Sequence, residues 1–185
     1  MDERALAPTT PRADDPGQGP DAYQRLLRVL DAGGARYRVI EHAPEGRTEV
    51  VSALRGNPLA AAAKCMVLMV KQGKKVTRYV LAVVPGDRRV DFDAIKRLYD
   101  ASYVSFASSD VAERLAGSVA GTILPFSFDQ TLELIVDPAV LASPELFFNA
   151  ARLDRSLALA TGDYAALVQP RLEAIAEPSE SAHHR

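Results

Sequence analysis

Residues 65–84 read CMVLMVKQGKKVTRYVLAVV, two apolar runs separated by a short polar segment. The first run, Cys65–Val70, is almost entirely apolar, which is typical of a strand that is buried on both faces of a sheet. The polar segment at 72–74 (QGK) is a turn sequence, and the second run covers Val76–Val84. This pattern predicts a β-hairpin at the centre of the fold.

Helices and further strands are predicted on both sides of the hairpin. The predicted helices begin near five capping residues, Asp21, Thr48, Asp91, Asp110 and Thr161, and the last helix is predicted to run to Ile175. The predicted strands cover residues 37–42, 104–106, 132–136, 146–150 and 156–160. Since strands and helices do not alternate strictly, we expect an α+β fold, with a mixed and mostly antiparallel β-sheet packed with helices, rather than a doubly wound one.

The two ends of the chain differ in composition from the middle. Residues 1–20 are rich in Pro, Asp and Gly and contain few large apolar side chains, so burial cannot offset the entropy cost of ordering them. We predict a disordered N-terminal tail at 1–20, one domain at 21–176 and a flexible C-terminal tail at 177–185. A chain of 185 residues is long enough for one domain whose core needs no disulfide or structural metal.

Composition argues against several classes of protein. The chain has one cysteine and three histidines, which do not form a convincing zinc ligand set, and it has no glycine-rich phosphate motif. We therefore expect no metal. The N-terminus has acidic residues where a signal peptide needs basic ones, and no segment approaches membrane-spanning length. We predict a cytoplasmic protein with no membrane partner.

Positive charge is concentrated in one part of the sequence, although the net charge of the chain is −2. Residues 64–97 contain nine Lys or Arg residues and three Asp residues, an excess of six positive charges. Such an excess can hold a phosphate backbone. It can equally be the solvated face of a hairpin, and charge alone leaves both interpretations open.

Two features of the sequence could carry chemistry. Lys64 stands between the small residues at 59–63 and the buried strand. Either its stem lies along apolar surface with the ammonium group in water, or it is a fixed cation that orients an acyl ester or a terminal ribose. The second feature is the loop Gly121–Pro125 (GTILP), whose backbone amides could bind an oxyanion or the end of a tRNA, although ordinary turns also contain Gly and Pro.

Four segments, taken in order, are more specific than either feature alone. They are ALRGNPLAAAAK at 53–64, VLAVVPGDRRVDFDAIK at 80–96, GSVAGTILPF at 117–126 and LFFNAARLDRSLAL at 146–159. Together they resemble the YbaK/prolyl-tRNA synthetase-associated editing domains over about residues 23–170. The resemblance implies a compact α+β editing fold. It also implies hydrolysis, without a cofactor, of the ester that joins a wrong amino acid to tRNA, commonly tRNA(Pro).

The resemblance also implies roles for particular residues. Lys64 would bind and position the substrate, and Gly121 of the family's GxxxP motif would shape the pocket near the reacting carbonyl, so these two are the catalytic candidates. Pro125 would support that loop and belongs with the substrate-binding candidates. A ribose hydroxyl of the tRNA would assist the attacking water.

Three further residues are weaker substrate-binding candidates. Asn149 lies where related sequences place a pocket residue, or it is an amide that satisfies a strand end. Arg47 and Thr48 follow a turn and precede a helix, where they could face the substrate or be a surface cation and an N-cap. Ala151 stands where many relatives have glycine, which would narrow the pocket or alter the strand.

These observations predict a trans-editing aminoacyl-tRNA deacylase that acts on tRNA(Pro) carrying alanine, serine, threonine or cysteine. Its expected partners are the acceptor end of the mischarged tRNA and an aminoacyl-tRNA synthetase. Two alternatives remain open at this point: a non-catalytic module of the same fold that binds tRNA or a synthetase, and a hydrolase of some other small acyl ester.

Overall fold

The structure, a computed structural model, describes residues 21–179. The predicted N-terminal tail, 1–20, lies outside the described residues, as do residues 180–185 of the predicted C-terminal tail. Within the described part, the backbone N–H of Glu177 donates to the carbonyl oxygen of Arg89 at 2.8 Å. The domain bounds at 21 and 176 remain predictions.

Five α-helices and eight β-strands are present among the described residues. The helices are α1 (Ala22–Ala32), α2 (Thr48–Arg55), α3 (Phe92–Tyr99), α4 (Ser109–Ala116) and α5 (Thr161–Val168). The strands are β1 (Tyr37–Glu41), β2 (Ala63–Gln72), β3 (Val76–Pro85), β4 (Tyr103–Phe106), β5 (Leu132–Val136), β6 (Glu145–Asn149), β7 (Arg155–Ala160) and β8 (Arg171–Leu172). Within 21–179, no helix combines the length and the apolar character that crossing a membrane requires.

The strands form two sheets. The larger has the order β4-β2-β3-β5-β8, with antiparallel pairs at β2–β3 and β2–β4 and parallel pairs at β3–β5 and β5–β8. The smaller has the order β1-β7-β6 and is antiparallel throughout. The predicted α+β fold with a mixed, mostly antiparallel sheet is confirmed.

The β2–β3 hairpin lies at the centre of the fold, as predicted, and both of its faces are buried. Val67 and Leu81 belong to one apolar cluster, which also contains Phe148 of the smaller sheet and Leu26 of α1. Alternate residues of the same strands, including Leu68 and Val80, belong to a second cluster that contains Ile95 of α3. The hairpin is therefore packed between the smaller sheet and α1 on one side and α3 on the other.

The predicted helix starts are confirmed at two positions and wrong in detail at three. The carboxylates of Asp21 and Asp91 accept from the backbone N–H groups three residues further on, at 2.8 and 3.0 Å, as N-caps do. Thr48 and Thr161 are the first residues of their helices rather than caps. For α4 the cap is Ser108, and Asp110 lies in the first turn, where its charge favours the positive end of the helix dipole.

The last helix is shorter than predicted. It ends at Val168, because Gln169 has a left-handed backbone (φ 45°) and Pro170 can neither donate an N–H nor continue the helix without a clash. Residues 171–172 instead form β8, at the edge of the larger sheet. The predicted extension to Ile175 is therefore wrong.

Candidate active site

Lys64 lies near the start of β2, opposite Val84 of β3. Its ammonium group is partly buried and has one hydrogen bond, 3.4 Å long, to the carbonyl oxygen of Gly86. Burial lowers the pKa of Lys64, while the nearby carboxylates of Glu49 and Asp87 act against that shift and Arg89 adds to it. Because an ammonium group has three N–H donors, Lys64 has donors available for a substrate.

Gly121 lies in direct backbone contact with Gly46. Its φ of +83° is in the left-handed region, and a Cβ added there would lie 2.8 Å from the Gly46 Cα and 2.9 Å from the Gly46 carbonyl oxygen. A side chain at 121 would therefore be strained and would clash with backbone. This close approach brings the loop after α4 against the turn before α2.

Asn149, at the end of β6, ties these two segments together. It is buried, and its Nδ2 donates to the carbonyl oxygens of Glu45 at 2.8 Å and of Gly121 at 2.9 Å. The Oγ of Ser156 donates to its Oδ1 at 2.9 Å. Both ends of the amide are thus engaged within the protein, in agreement with the interpretation of Asn149 as an amide that satisfies backbone groups.

Arg55 completes the polar network behind Asn149. Its guanidinium group donates to the Oγ of Ser156 at 3.1 Å, to Oδ1 of Asn57 at 2.9 Å and to the Oγ of Ser52 at 3.3 Å. Burial lowers the pKa of Arg55 to about 10, so it remains a cation at neutral pH. Arg55 is a residue of the site that the sequence pattern does not reveal, although it lies in the ALRGN segment of the family resemblance.

A cavity of about 60 Å³, which we call the small cavity, lies where these segments meet. Four of the six predicted site residues line it: Lys64, Gly121, Asn149 and Thr48. Its other lining residues include Gly46, Arg55, Cys65 and Phe148. The structure therefore brings most of the predicted site together around one small, partly polar space.

Arg47 and Pro125, also predicted to bind substrate, are not among the lining residues. The Arg47 side chain is 74% exposed and forms an ion pair with Glu45 at 2.9 Å. Glu45 also accepts from the backbone N–H groups of Gly46 and Arg47, and these interactions, with the Arg47 side chain first, lower its pKa to about 2. Arg47 thus stabilises the turn that meets Gly121.

Pro125 supports the site from the core side. It is buried, and its carbonyl oxygen accepts a 2.7 Å hydrogen bond from the hydroxyl of Tyr164. Pro125 ends the Gly121–Pro125 loop, and this bond ties the loop to α5; a role in substrate binding stays a prediction.

Cys65 and Ala151 lie near the site: Cys65 lines the small cavity, and Ala151 follows β6. Burial raises the pKa of the Cys65 thiol, so the group is neutral at physiological pH and suits a packing role better than that of a nucleophile. Ala151, just after β6, has a φ of 59°, a conformation in which glycine is unstrained and alanine is not.

Among residues 21–179, no group of three or more His, Cys, Asp and Glu side chains is placed to hold a metal ion.

Comparison with known proteins places this arrangement in a family. A family model described as the aminoacyl-tRNA editing domain matches residues 42–167. The "Multifunctional Ser/Thr-tRNA deacylase ProXp-y" of Escherichia coli (strain K12) is 38% identical over 156 residues, which cover 84% of this chain and 93% of that protein. A proline–tRNA ligase of Bacillus licheniformis is 29% identical over 114 residues, which cover 61% of this chain and 19% of the ligase.

Solved structures agree in fold. A crystal structure of the hypothetical protein APE2540 has a TM-score of 0.73 at 18% identity and covers 83% of this chain and 99% of its own. A protein described as a candidate trans-editing enzyme for prolyl tRNA synthetase has a TM-score of 0.69 at 18% identity, with coverage of 87% and 100%. The family model, which matches over most of the described domain, and the 38% identity to the Escherichia coli protein show that the chain belongs to the aminoacyl-tRNA editing domain family.

Proposed function

We propose that this protein removes serine or threonine from a tRNA that has been charged with it wrongly, with tRNA(Pro) as the first tRNA to test. As a member of the editing family that is similar to a tRNA deacylase over most of its length, the chain is an aminoacyl-tRNA deacylase. The observation that carries the proposal is the small cavity, which has Lys64 at its edge and the Gly46–Gly121 contact in its wall.

The size of the small cavity supports selection of a small side chain. A cavity needs roughly 10–15 Å³ to hold one water molecule, so about 60 Å³ has room for only a few non-hydrogen atoms. A larger side chain would have to displace backbone at Gly46 and Gly121. Exclusion by size is the principle of a second sieve, in which a hydrolytic site admits only what is small enough to enter.

The polar lining supports serine or threonine over alanine. Thr48, in the first turn of α2, lines the small cavity, and a threonine hydroxyl can both donate to and accept from a substrate hydroxyl. The partly buried cation of Arg55 lines the same cavity. The 38% identity to a Ser/Thr-tRNA deacylase supports the same choice.

In the proposed reaction a water molecule attacks the carbonyl carbon of the ester. The bond from that carbon to the ribose oxygen breaks, and a proton passes to the ribose oxygen, which leaves a free amino acid and an uncharged tRNA. Lys64 stabilises the negative charge that develops on the carbonyl oxygen and holds the ester in place. Because the charged form of Lys64 is required and burial lowers its pKa, the enzymatic rate is expected to fall with rising pH earlier than for an ordinary lysine.

The proposed partners are the acceptor end of tRNA and an aminoacyl-tRNA synthetase. The likeness to part of a proline–tRNA ligase supports prolyl-tRNA synthetase as the first synthetase to test. A protein that acts on charged tRNA is proposed to work in the cytoplasm, where the tRNA is charged.

The test is the release of amino acid from tRNA(Pro) charged with serine, threonine, alanine, cysteine or proline. We expect the wild-type protein to release serine or threonine and to spare proline. Lys64→Ala should lower the rate by roughly 10²–10³-fold, the usual effect of removing a group that stabilises an oxyanion. Arg28→Ala, an exposed cation on α1, is the control and should keep the wild-type rate.

Other results would overturn the proposal. If neither serine nor threonine leaves faster than in buffer, with tRNA(Pro) and with other tRNAs, the proposed substrates are wrong. If charged tRNA binds but no amino acid is released, the chain is the binding module considered as an alternative. A Lys64→Ala variant with the wild-type rate would remove Lys64 from the mechanism.

A further inference from the structure

Lys64 also borders a second cavity, of about 560 Å³, which we call the large cavity. It lies on the α3 side of the larger sheet, and its lining includes Met66, Arg89, Phe92 and Phe106. A volume of this size is typical of a site for a small organic ligand. The small cavity lies on the other side of Lys64, so a molecule that reaches into both must pass this ammonium group.

The strand register explains why these side chains share a face. Side chains alternate along β2, so Lys64, Met66 and Leu68 point to the same side of the sheet. Phe106 of β4 is the register partner of Leu68, and side chains of paired residues lie on the same face. At about 3.3 Å per residue, Phe106 lies roughly 13 Å along the strand from Lys64, with Met66 between them.

The large cavity presents an aromatic surface. Phe106 is 60% exposed at the end of an edge strand, and its ring packs edge-on against Phe92, with 5.1 Å between ring centroids and 68° between ring planes. This contact supports the Phe106 ring, and most of the side chain stays exposed. An exposed and supported aromatic ring of this kind is a stacking platform for a nucleobase.

The charges around the large cavity favour a neutral ligand with donor groups. Three carboxylates (Asp91, Asp93 and Glu177) and two cations (Lys64 and Arg89) line it, so the lining has a net charge of −1. Phosphate would be repelled from the carboxylates, whereas an exocyclic amino group can donate to them. Arg89 also lines a neighbouring cavity of about 280 Å³, in which three cations (Lys64, Arg88 and Arg89) balance three carboxylates (Glu49, Asp87 and Glu177). Since it is less negative than the large cavity, the backbone of a nucleic acid could leave the site there.

We infer that the large cavity binds the base of the 3′-terminal nucleoside of the tRNA, stacked on Phe106, while the ester lies at Lys64 and the amino acid enters the small cavity. The inference rests on the proposed function, because it assigns a site to another part of the same substrate. Adenosine, the last nucleoside of a tRNA, has a planar base with an amino group that suits the aromatic ring and the carboxylates. The base would then contribute binding for every tRNA, whichever amino acid it carries.

The test compares two small substrates, seryl adenosine and a seryl ester of methyl riboside, which lacks the base. The wild-type protein should hydrolyse the adenosine ester with the higher kcat/KM. Phe106→Ala should lower kcat/KM for the adenosine ester by about tenfold or more, mainly through KM, since stacking on an aromatic side chain is worth roughly 5- to 150-fold in binding. It should leave the riboside ester almost unchanged, and Phe106→Tyr should restore the preference.

Tyr103→Ala is the matched control, since Tyr103 is the other exposed aromatic residue of β4 and does not line the large cavity. It should keep the preference for adenosine. The thermal unfolding of each variant is measured as well, so that a loss of folding is not mistaken for a loss of binding. Free adenosine should inhibit the wild-type protein competitively and inhibit Phe106→Ala much less.

The outcomes separate this inference from the proposed function. If seryl-tRNA is hydrolysed, but the base makes no difference to the small esters or Phe106→Ala keeps the wild-type preference, the nucleoside site is wrong and the deacylase stands. If neither seryl- nor threonyl-tRNA is hydrolysed by the wild-type protein, the proposed function fails first. In that case, the binding of free adenosine is measured directly. Binding that is lost in Phe106→Ala would still support the nucleoside site, and the absence of binding would overturn it.

Discussion

The two cavities on either side of Lys64 are built in different ways. The small cavity is formed by segments far apart in sequence, whose backbones touch at Gly46 and Gly121 and are tied by the buried amide of Asn149. The large cavity is formed by one face of a sheet and the start of α3, with an exposed aromatic ring. A rigid cavity wall is needed to distinguish substrates that differ by a few atoms. An exposed aromatic ring is enough to bind a chemical group that every substrate has.

This comparison predicts that changes in the small cavity affect stability and activity together, whereas changes at Phe106 affect substrate binding alone. The following variants test it, from the largest expected effect to the smallest. Stability is measured by urea unfolding and activity by single-turnover release of serine from tRNA.

The largest effect is expected for Gly121→Ala. The new Cβ would meet Gly46 backbone at 2.8 Å, in a left-handed conformation, so we expect about 2–4 kcal/mol of destabilisation and at least a 100-fold loss of activity. Gly46→Ala is the comparison, since its Cβ would meet the flexible end of Leu153 at 3.2 Å and should cost less. If the two variants lost the same stability, a side chain at 121 would be no harder to accommodate than one at 46, which would contradict the expectation.

Asn149→Asp should have the next largest effect. The two carbonyl oxygens that accept from Nδ2 would face a carboxylate oxygen, so we expect a loss of about 2–4 kcal/mol at neutral pH with little change in side-chain volume. Asn57→Asp should destabilise the protein far less. The Asn57 side chain is partly buried, and its Nδ2 donates to the carbonyl oxygen of the neighbouring Pro58. If Asn149→Asp kept wild-type stability and lost only activity, Asn149 would contact the substrate rather than tie the wall.

Ser156→Ala should weaken the network without breaking the wall. It removes a hydroxyl that bonds to Asn149, to Arg55 and to Nε2 of His42 at 2.7 Å, and it leaves these groups without that partner. We expect a loss of about 1–2 kcal/mol and a decrease in activity of a few fold. Ser102→Ala, whose hydroxyl is exposed, is the control. A full loss of activity with normal stability would contradict the supporting role.

The smallest effect is expected for Ala151→Gly, and it has the opposite sign. Replacing this left-handed alanine with glycine removes roughly 1–2 kcal/mol of backbone strain. The greater freedom of glycine in the unfolded chain offsets about 0.5–1 kcal/mol of that gain. We expect a net stabilisation of about 0.5–1 kcal/mol and similar activity. Ala150→Gly, at a fully buried neighbour whose φ is not in that region, should destabilise the protein instead.

Local patterns were sufficient for much of the fold. The β2–β3 hairpin follows from two apolar runs around a turn, and the caps at Asp21 and Asp91 depend on a side chain and an amide three residues away. The end of α5 was also visible, since Pro170 cannot follow inside a helix, but the apolar residues beyond it suggested that the helix continued. Local signals can compete, and here the geometry of proline prevailed over hydrophobic periodicity.

The residues of the site also divide into those that the sequence pattern reveals and those that only tertiary contacts reveal. Lys64 and Gly121 could be named from motifs, because each lies in a segment with a recognisable order of residues. Gly46 and Arg55 could not be assigned to the small cavity from the sequence, because their roles depend on contacts with Gly121 and Ser156, more than 70 positions away. Arg47 lies beside the cavity and not in it, because its side chain pairs with Glu45, two residues before it in the turn.

The sequence by itself determined the family, the central hairpin and the identity of the lysine, because these depend on the order and periodicity of residues along the chain. Only the tertiary structure decided the size of the small cavity, the use of Asn149 as a tie between two backbones and the aromatic surface next to Lys64. Those properties arise where separate segments meet. Their geometry depends on contacts of about 3 Å between atoms that no local pattern places together.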